Sequence, residues 1–338
     1  MLEVEDLTTT FATDRGPLRA VDGVALKLSQ GATLGVVGES GSGKSVLGRS
    51  IMGLTALEPS ATTTGSVRLA GHEIVGRSRK QLRPIWRDRV AMIFQDPMTS
   101  LHPTLTIGEQ VREALHVGRR QRRQEGRSIA VELLGSVGIP SPTRRYDEYP
   151  HELSGGMRQR VVIAIAIARQ PKLLIADEPT TALDVTVQAQ ILELLAEQQR
   201  ERHMAMILIT HDLGIAAAYT DRIAVMYAGR FVEEAPTRGL FEASRMPYTR
   251  ALLDAIPRLE RPAHAPLQVV PGRPPDLVEP PSGCRFAARC GNVQEPCWSS
   301  EPPLMDATDA HRYRCWYPLE LGAGATRSSF DACVETGS

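Results

Sequence analysis

The chain has 338 residues, enough for one large α/β domain and a smaller appendage. Its 39 basic and 39 acidic residues give a formal net charge of zero, which excludes a strong overall attraction to nucleic acid or anionic lipid. The longest apolar run, near 161–168, is far shorter than the roughly 20 residues of a membrane span, and the acidic start is unlike a secretory signal. These features predict a soluble cytoplasmic protein.

The segment 38–45 reads GESGSGKS and fits the phosphate-binding pattern GxxxxGK[ST] at every required position. It follows a strand-like apolar run, 33–37, and precedes a predicted helix at 46–54. Glycines let several backbone N–H groups point at phosphate oxygens, and the lysine adds charge for the β- and γ-phosphates. Ser45 is predicted to hold Mg²⁺. The predicted nucleotide contacts in this loop are Gly38, Ser40, Gly41, Ser42, Gly43, Lys44 and Ser45.

A second predicted phosphate-binding turn is the pentapeptide LSGGM at 153–157. Ser154 is a good helix N-cap, and Gly155 and Gly156 would let a ligand approach the backbone closely. The apolar run 161–168 predicts the helix that follows, and a helix start attracts anions. Alone, such a turn is more often a simple capped helix start, so its interpretation depends on the motifs around it.

The segment 172–178, KLLIADE, has the pattern of a buried strand that ends in two carboxylates. Asp177 is predicted to organise Mg²⁺. Glu178 is predicted to accept a proton from, or to orient, the water that attacks the γ-phosphate. Without the loop at 38–45, an ordinary strand end with solvated acids would be the better interpretation.

The chain divides by pattern into a core and an extension. Strands and helices alternate up to about residue 93 and again after residue 171, whereas the region between them is largely helical. Prolines crowd 257–303 and exclude regular helix or central strand there. The predicted parts are a nucleotide-binding domain at 1–253 with a helical subdomain at about 97–168, a Pro-rich extension at 254–321, and a flexible tail at 322–338.

Four of the five cysteines fall in the extension. Disulfides are disfavoured in a reducing cytosol, so clustered cysteines there indicate metal ligation. Their spacing matches neither a zinc ribbon nor a bacterial ferredoxin, so zinc, an iron–sulfur cluster and unliganded thiols all remain open. The candidate ligands are Cys284, Cys290, Cys297 and Cys315. Cys333, in the tail, is expected to be a free thiol.

Taken together, the motifs resemble those of the ATP-binding subunit of an ABC transporter. In chain order they are the Walker A loop at 38–45, Gln95 after a strand, the signature at 153–157, the Walker B strand at 172–178, the D-loop TALD at 181–184, and His211 after the apolar run 206–210. Within that family the chain is most similar to oligopeptide and dipeptide importers. That similarity rests on FQDPMTSLHP at 94–103, MPYTRALL at 246–253 and the cysteine-bearing segment from 283.

The resemblance implies an α/β P-loop NTPase fold: a RecA-like core, an ABC helical subdomain that carries the signature, an antiparallel β subdomain, and an irregular cysteine-bearing C-terminal extension. It implies that Gln95 contacts Mg²⁺ or the attacking water and that His211 touches the γ-phosphate across a dimer. Asp184 would lie at the dimer contact. Phe11 stands where the family stacks an aromatic ring on adenine, with a plain core phenylalanine as the alternative. The implied cofactors are ATP, Mg²⁺ and a [4Fe-4S] cluster on the four cysteines, with zinc as the alternative.

The resemblance also implies partners. MgATP would be hydrolysed at composite sites, each formed by the P-loop of one subunit and the signature of another. The expected partners are a second homologous ATPase subunit, with a homodimer as the alternative, two transmembrane permease subunits and a solute-binding protein. The chain would then lie peripherally at the cytoplasmic face of the cell membrane. No nucleic-acid partner is expected, and the basic run 119–127 is interpreted as a solvated part of the helical subdomain.

Several alternatives stay open for the function. The cargo could be glutathione, nickel or a sugar instead of a peptide, because an ATPase subunit does not touch the transported substrate. A soluble ABC-type ATPase of repair or translation is disfavoured, because the sequence shows neither a long coiled-coil insert nor a second ATPase domain. A regulatory subunit that binds ATP without hydrolysing it is disfavoured, because the Walker B and signature motifs look intact.

Overall fold

The computed structural model describes residues 1–96, 100–116, 123–181, 183–256, 270–308 and 310–320. Cys333 and the tail predicted to be flexible from residue 322 lie outside the described residues, as do 97–99 and the first part of the basic run. The chain forms two compact units. The first consists of Met1–Leu28, Ala32–Ser78 and Leu208–Ser338, and the second of Ser29–Gly31 and Arg79–Ile207.

The described strands are β1 (Leu2–Thr13), β2 (Gly16–Leu28), β3 (Thr33–Val37), β4 (Ala61–Leu69), β5 (His72–Glu73), β6 (Val90–Ile93), β7 (Leu173–Asp177), β8 (Ala205–Thr210), β9 (Arg222–Tyr227), β10 (Arg230–Pro236), β11 (Met305–Thr308) and β12 (His311–Tyr313). The described α-helices are α1 (Lys44–Ile51), α2 (Arg79–Asp88), α3 (Ile107–His116), α4 (Arg123–Ser136), α5 (Pro142–Arg145), α6 (Gly155–Ile167), α7 (Val185–Arg202), α8 (Leu213–Tyr219), α9 (Thr237–Ala243), α10 (Pro247–Asp254) and α11 (Pro296–Ser299). Short 3₁₀ turns lie at Thr55–Leu57, Pro150–Glu152 and Ala287–Arg289.

The first unit contains an antiparallel sheet with the strand order β2-β1-β4-β5. Leu2, Val4 and Leu7 of β1 are buried, whereas Glu5 and Asp6 beside them are exposed. This alternation is expected of a sheet that covers a core with one face. The antiparallel β subdomain implied by the family resemblance is therefore confirmed.

The first unit also contains strands in the order β11-β12-β10-β9-β3. β3 runs parallel to β9, whereas β9, β10, β12 and β11 follow each other antiparallel. All five residues of β3 are buried, as its apolar sequence predicts for a strand covered on both faces. The chain leaves the carboxyl end of β3 into the loop 38–45 and then enters α1, so the predicted strand–loop–helix order is confirmed.

The C-terminal extension packs into the core of the first unit. Tyr227 of β9, Tyr248 of α10 and Phe286 of the extension form an aromatic cluster, with ring centroids 4.5 to 5.4 Å apart. The extension also supplies β11 and β12, two short strands that the sequence did not predict. They form just beyond the proline-rich stretch, where backbone N–H groups are again free to pair with a strand.

The second unit pairs β6 with β7 in parallel and contains α2 to α7. Ser154 caps α6 by accepting a hydrogen bond from the Met157 N–H, and Asp184 caps α7 by accepting one from the Val187 N–H. The N-cap predicted at Ser154 is confirmed, and Asp184 caps its helix in the same way. Among the described residues, no helix has the length and apolar character needed to span a bilayer.

A fully buried carboxylate, Glu233 of β10, joins the extension to the core. It accepts hydrogen bonds from the backbone N–H groups of Arg245 and Met246, and it lies 2.7 Å from Nε2 of His311 in β12. Removing one partner of such a buried set leaves the others desolvated and unpaired.

We therefore expect Glu233→Ala to lower the free energy of unfolding by about 3–5 kcal/mol, measured by denaturant titration. Glu242→Ala is the matched control. Glu242 forms an exposed i,i+4 pair with Arg238, so its loss should cost less than about 1 kcal/mol. Equal effects of the two substitutions would contradict the role given to Glu233.

Candidate nucleotide site

The loop 38–45 adopts a backbone shape that only glycine permits at two positions. Gly38 has φ +153° and Gly43 has φ +104°. A Cβ atom built on Gly38 would lie 2.1 Å from the carbonyl oxygen of Met226, and one on Gly43 would lie 2.2 Å from that of Ala20. The loop is therefore packed against β9 and β2 too closely for any side chain at these two points.

Two polar side chains of the loop are buried. The Lys44 ammonium donates hydrogen bonds to the carbonyl oxygens of Gly38 (2.7 Å) and Glu39 (3.0 Å). The Ser42 hydroxyl is buried and has no hydrogen-bond partner among the described residues. A phosphate oxygen would satisfy that hydroxyl, and the lysine suits the β- and γ-phosphates. These residues, with Ser45 at the start of α1, fit a bound nucleotide and its Mg²⁺.

The predicted catalytic pair comes together in the second unit. The Gln95 amide donates a hydrogen bond to Oε2 of Glu178 over 3.0 Å, and the Thr181 hydroxyl donates one to the same oxygen over 2.9 Å. Asp177, at the end of β7, is buried. Glu178 has φ +47°, an uncommon backbone angle for a residue with a side chain, and such angles concentrate at functional sites.

The signature turn and the D-loop also lie together in this unit. Ser154, Gly155 and Asp184 are exposed. A Cβ atom on Gly156 would lie 2.6 Å from Cγ1 of Val187 in α7, so glycine there permits the close approach of α6 and α7. The signature therefore starts its helix at a turn whose polar groups are open to solvent.

Two further predicted site residues, His211 and Phe11, lie in the first unit but far from the loop 38–45 in sequence. His211 follows β8 directly and is exposed, and Asp212 caps α8 by accepting hydrogen bonds from the Gly214 and Ile215 N–H groups. Phe11 lies near the end of β1, opposite Leu18, and is half-buried. Their contacts with nucleotide stay predictions.

Three residues that contact or belong to the loop, Glu39, Tyr248 and Arg289, are not predicted as site residues by the sequence. The Arg289 guanidinium forms a bidentate ion pair with Glu39, and the Tyr248 hydroxyl accepts a hydrogen bond from the Glu39 N–H. In the sequence, Tyr248 and the segment that holds Arg289 indicate only the family. No local pattern joins residues so far apart in the chain.

The four cysteines of the extension are free thiols in the structure. Burial, together with the other thiols, raises the pKa of Cys284 to about 11 and that of Cys315 to about 12. Burial also raises the pKa of Cys290. These thiols are thus close enough to influence one another and are favoured in the neutral form.

No group of three or more His, Cys, Asp or Glu side chains within the described ranges is placed to hold a metal ion. The predicted ligand set Cys284, Cys290, Cys297 and Cys315 is therefore not supported by their arrangement, for iron–sulfur or for zinc. The physical reason is that thiols have no mutual attraction that would draw their sulfur atoms to coordination distance.

Comparison with known proteins agrees with this geometry. The family model for "ABC transporter" matches residues 21–181, and that for "Oligopeptide/dipeptide transporter, C-terminal region" matches 232–297. The oligopeptide transport ATP-binding protein OppD of Bacillus subtilis (strain 168) is 47% identical over 316 residues, which cover 94% of this chain and 88% of the relative. The dipeptide transport ATP-binding protein DppD of Escherichia coli (strain K12) is 46% identical over 320 residues, covering 95% and 97%.

A solved structure of the ATP-binding cassette MJ0796, a dimer in a post-hydrolysis state bound to ADP and Pi, is also similar. Its TM-score is 0.64 at 30% identity, and the match covers 71% of this chain and all of that one. The P-loop fold and the family resemblance are confirmed. The chain belongs to the ABC transporter family, as an ATP-hydrolysing, ATP-binding subunit of the oligopeptide/dipeptide type.

Proposed function

We propose that this chain hydrolyses MgATP to power the import of oligopeptides or dipeptides. The proposal rests on the loop 38–45, in which glycines permit close backbone packing and the Ser42 hydroxyl has no hydrogen-bond partner among the described residues. The same chain also pairs Gln95 with Glu178. The peptide cargo is supported by relatives named for oligopeptide and dipeptide transport that align along nearly the whole chain.

Each motif has a proposed task. The backbone of the loop, the Ser42 hydroxyl and the Lys44 ammonium bind the phosphates, and Phe11 stacks on the adenine. Ser45, Asp177 and Gln95 hold Mg²⁺, which when bound neutralises charge on the β- and γ-phosphates. Glu178 takes a proton from the attacking water while the Gln95 amide keeps its carboxylate in place. His211 contacts the γ-phosphate.

The sites are proposed to be composite. Ser154, Gly155 and Gly156 of one chain and the P-loop of another would bind the same ATP, with Asp184 at the contact between them. Support comes from the exposure of Ser154, Gly155 and Asp184, from the single copy of each motif, and from the likeness to a cassette solved as a dimer. Closure on ATP and opening after hydrolysis would then drive the membrane subunits.

The assembly and its location follow from this role. We propose a second homologous ATPase subunit, two transmembrane permeases and a solute-binding protein as partners, with the chain held at the cytoplasmic face of the cell membrane. Within the chain, 1–253 would form the nucleotide-binding domain, with its helical subdomain at about 97–168, and 254–321 the extension.

The substitution Glu178→Gln tests the catalytic assignment. The amide keeps the size of the carboxylate but cannot accept a proton, so phosphate release should fall at least about 100-fold while ATP affinity is unchanged. An ATP-dependent dimer should persist on size exclusion. Glu193→Gln, which removes an exposed carboxylate of α7 paired with Arg200, is the matched control and should hydrolyse ATP normally. Near-normal hydrolysis by the Glu178 variant would remove Glu178 from the role of base.

We also propose that the extension acquires a [4Fe-4S] cluster on Cys284, Cys290, Cys297 and Cys315, with zinc as the alternative. What supports this is the donor chemistry: four buried or partly buried thiols, close enough for one to affect the pKa of another. The sulfur atoms would have to move together as they lose their protons, because the described arrangement does not form a ligand set. When bound, the cluster would supply a structural cross-link.

Anaerobic purification followed by an absorption spectrum and iron, sulfide and zinc assays tests the cluster. We expect about four iron atoms per chain, lost in Cys315→Ser and retained in the control Cys333→Ser. Zinc without iron would exclude the cluster. Absence of both metals would leave free thiols. Of these, Cys284, Cys290 and Cys315 should react with iodoacetamide only slowly at pH 8, because burial raises their pKa values.

A further inference from the structure

One residue of the P-loop, Glu39, is held at three points. Its carbonyl oxygen accepts a hydrogen bond from Lys44 (3.0 Å), and its N–H donates one to the hydroxyl of Tyr248 (3.0 Å). Its carboxylate receives two hydrogen bonds from the Arg289 guanidinium, at 2.7 and 2.8 Å. Backbone and side chain of the first turn of the loop are thus both fixed by residues outside that turn.

Arg289 is itself fully engaged. It makes five hydrogen bonds, as many as a guanidinium has N–H groups: two to Glu39, one to the Tyr227 hydroxyl, and one each to the carbonyl oxygens of Val270 and Pro271. Its side chain is only 3% exposed, against 27% for Glu39. Like any arginine, it stays charged throughout the physiological pH range. A buried, planar, fully bonded guanidinium is a rigid support.

A second arginine of the extension, Arg285, supports the loop indirectly. Arg285 donates to the carboxylate of Asp22 and to the carbonyl oxygen of Ala228. The next residue of that turn, Gly229, donates its N–H to the carbonyl oxygen of Ser42 (2.9 Å). Two arginines of the segment 285–289 therefore reach the P-loop, one directly and one through the β9–β10 turn.

Lys44 cannot hold the loop and the phosphates with the same N–H groups. Its ammonium bonds the carbonyl oxygens of Gly38 and Glu39 in the structure, whereas a P-loop lysine serves the β- and γ-phosphates when nucleotide binds. Within the loop, the Ser42 N–H also donates to the Glu39 carbonyl oxygen (3.2 Å). From outside the loop, Tyr248 and Arg289 bond Glu39, and neither contact competes with phosphate. Neither residue belongs to a nucleotide-binding motif.

We propose that Arg289 of the C-terminal extension is a positioning residue for ATP binding, which through Glu39 keeps the P-loop in its phosphate-binding shape. The extension thereby acts on the nucleotide site of its own chain. Arg289 touches no nucleotide and takes no part in hydrolysis. Its loss should weaken ATP binding, because part of the binding free energy would then be spent on ordering the loop.

The test is the Kd of the full-length chain for a fluorescent ATP analogue with Mg²⁺. We expect Arg289→Ala and Glu39→Ala each to raise the Kd about 10-fold, and the double variant to raise it no further, because both remove one interaction. Arg289→Lys keeps the charge but loses the bidentate geometry, so it should raise the Kd by a smaller factor. In the assembled transporter, the KM for ATP should rise while kcat changes less than about two-fold.

Arg312→Ala is the matched control, since Arg312 lies in the same extension but pairs with Glu234 of β10. It should leave the Kd within about two-fold of wild type. If Arg289→Ala does not fold, Glu39→Gln provides the test, because it leaves the extension unchanged. This variant should raise the Kd about as much as Glu39→Ala. An unchanged Kd in the Glu39 variants, additive effects in the double variant, or an equal loss in Arg312→Ala would each overturn the proposal.

Discussion

The phosphates of ATP have to be met by backbone N–H groups, and the backbone can present them only if it is held in an unusual shape before the nucleotide arrives. In this chain that constraint falls on Gly38 and Gly43, where a Cβ atom would overlap the carbonyl oxygens of Met226 and Ala20. Contacts with the neighbouring strands β9 and β2 therefore determine the backbone shape of the loop. The Ser42 hydroxyl is buried and has no hydrogen-bond partner in the described structure. An oxygen of the bound phosphate can accept the hydrogen bond that this hydroxyl donates.

The chemistry is distributed between the two units. The first contains the phosphate-binding loop together with the extension that supports it through Glu39. The second contains the carboxylate of Glu178, held by Gln95 and Thr181, and the exposed signature turn. In the proposed mechanism, the phosphate-binding loop and the proposed catalytic base thus belong to different parts of one chain. The extension, which the family model assigns to oligopeptide and dipeptide transporters, is more than an appendage because its arginines reach the P-loop.

Much of this was predictable from sequence because the signals are local. β3 and β7 are short apolar runs that end at their motifs, and Ser154 and Asp184 precede helices as N-caps do. The pair of Arg289 and Glu39 was not predictable, since 250 positions separate the two residues and no periodicity links them. The short strands β11 and β12 were hidden for a similar reason, because three or four residues carry too little pattern.

The arrangement of the four cysteines of the extension likewise depends on packing. Their clustering in sequence predicted a metal site, yet proximity along the chain does not fix the distances between sulfur atoms, and the described side chains form no ligand set. The motifs of the candidate nucleotide site are visible in the sequence because each of them is contiguous. The contact between Arg289 and Glu39 and the arrangement of the four thiols are not visible there, because they depend on how distant segments pack.

In the proposed mechanism, the signature of this chain binds the ATP held by another chain. Vanadate trapping of a photoreactive ATP analogue in the assembled transporter tests it most directly, with Ser154→Arg introduced in this chain alone. We expect trapped label to disappear from the P-loop of the partner ATPase chain and to persist on this one. Loss of label from this chain, with the partner's label retained, would contradict it.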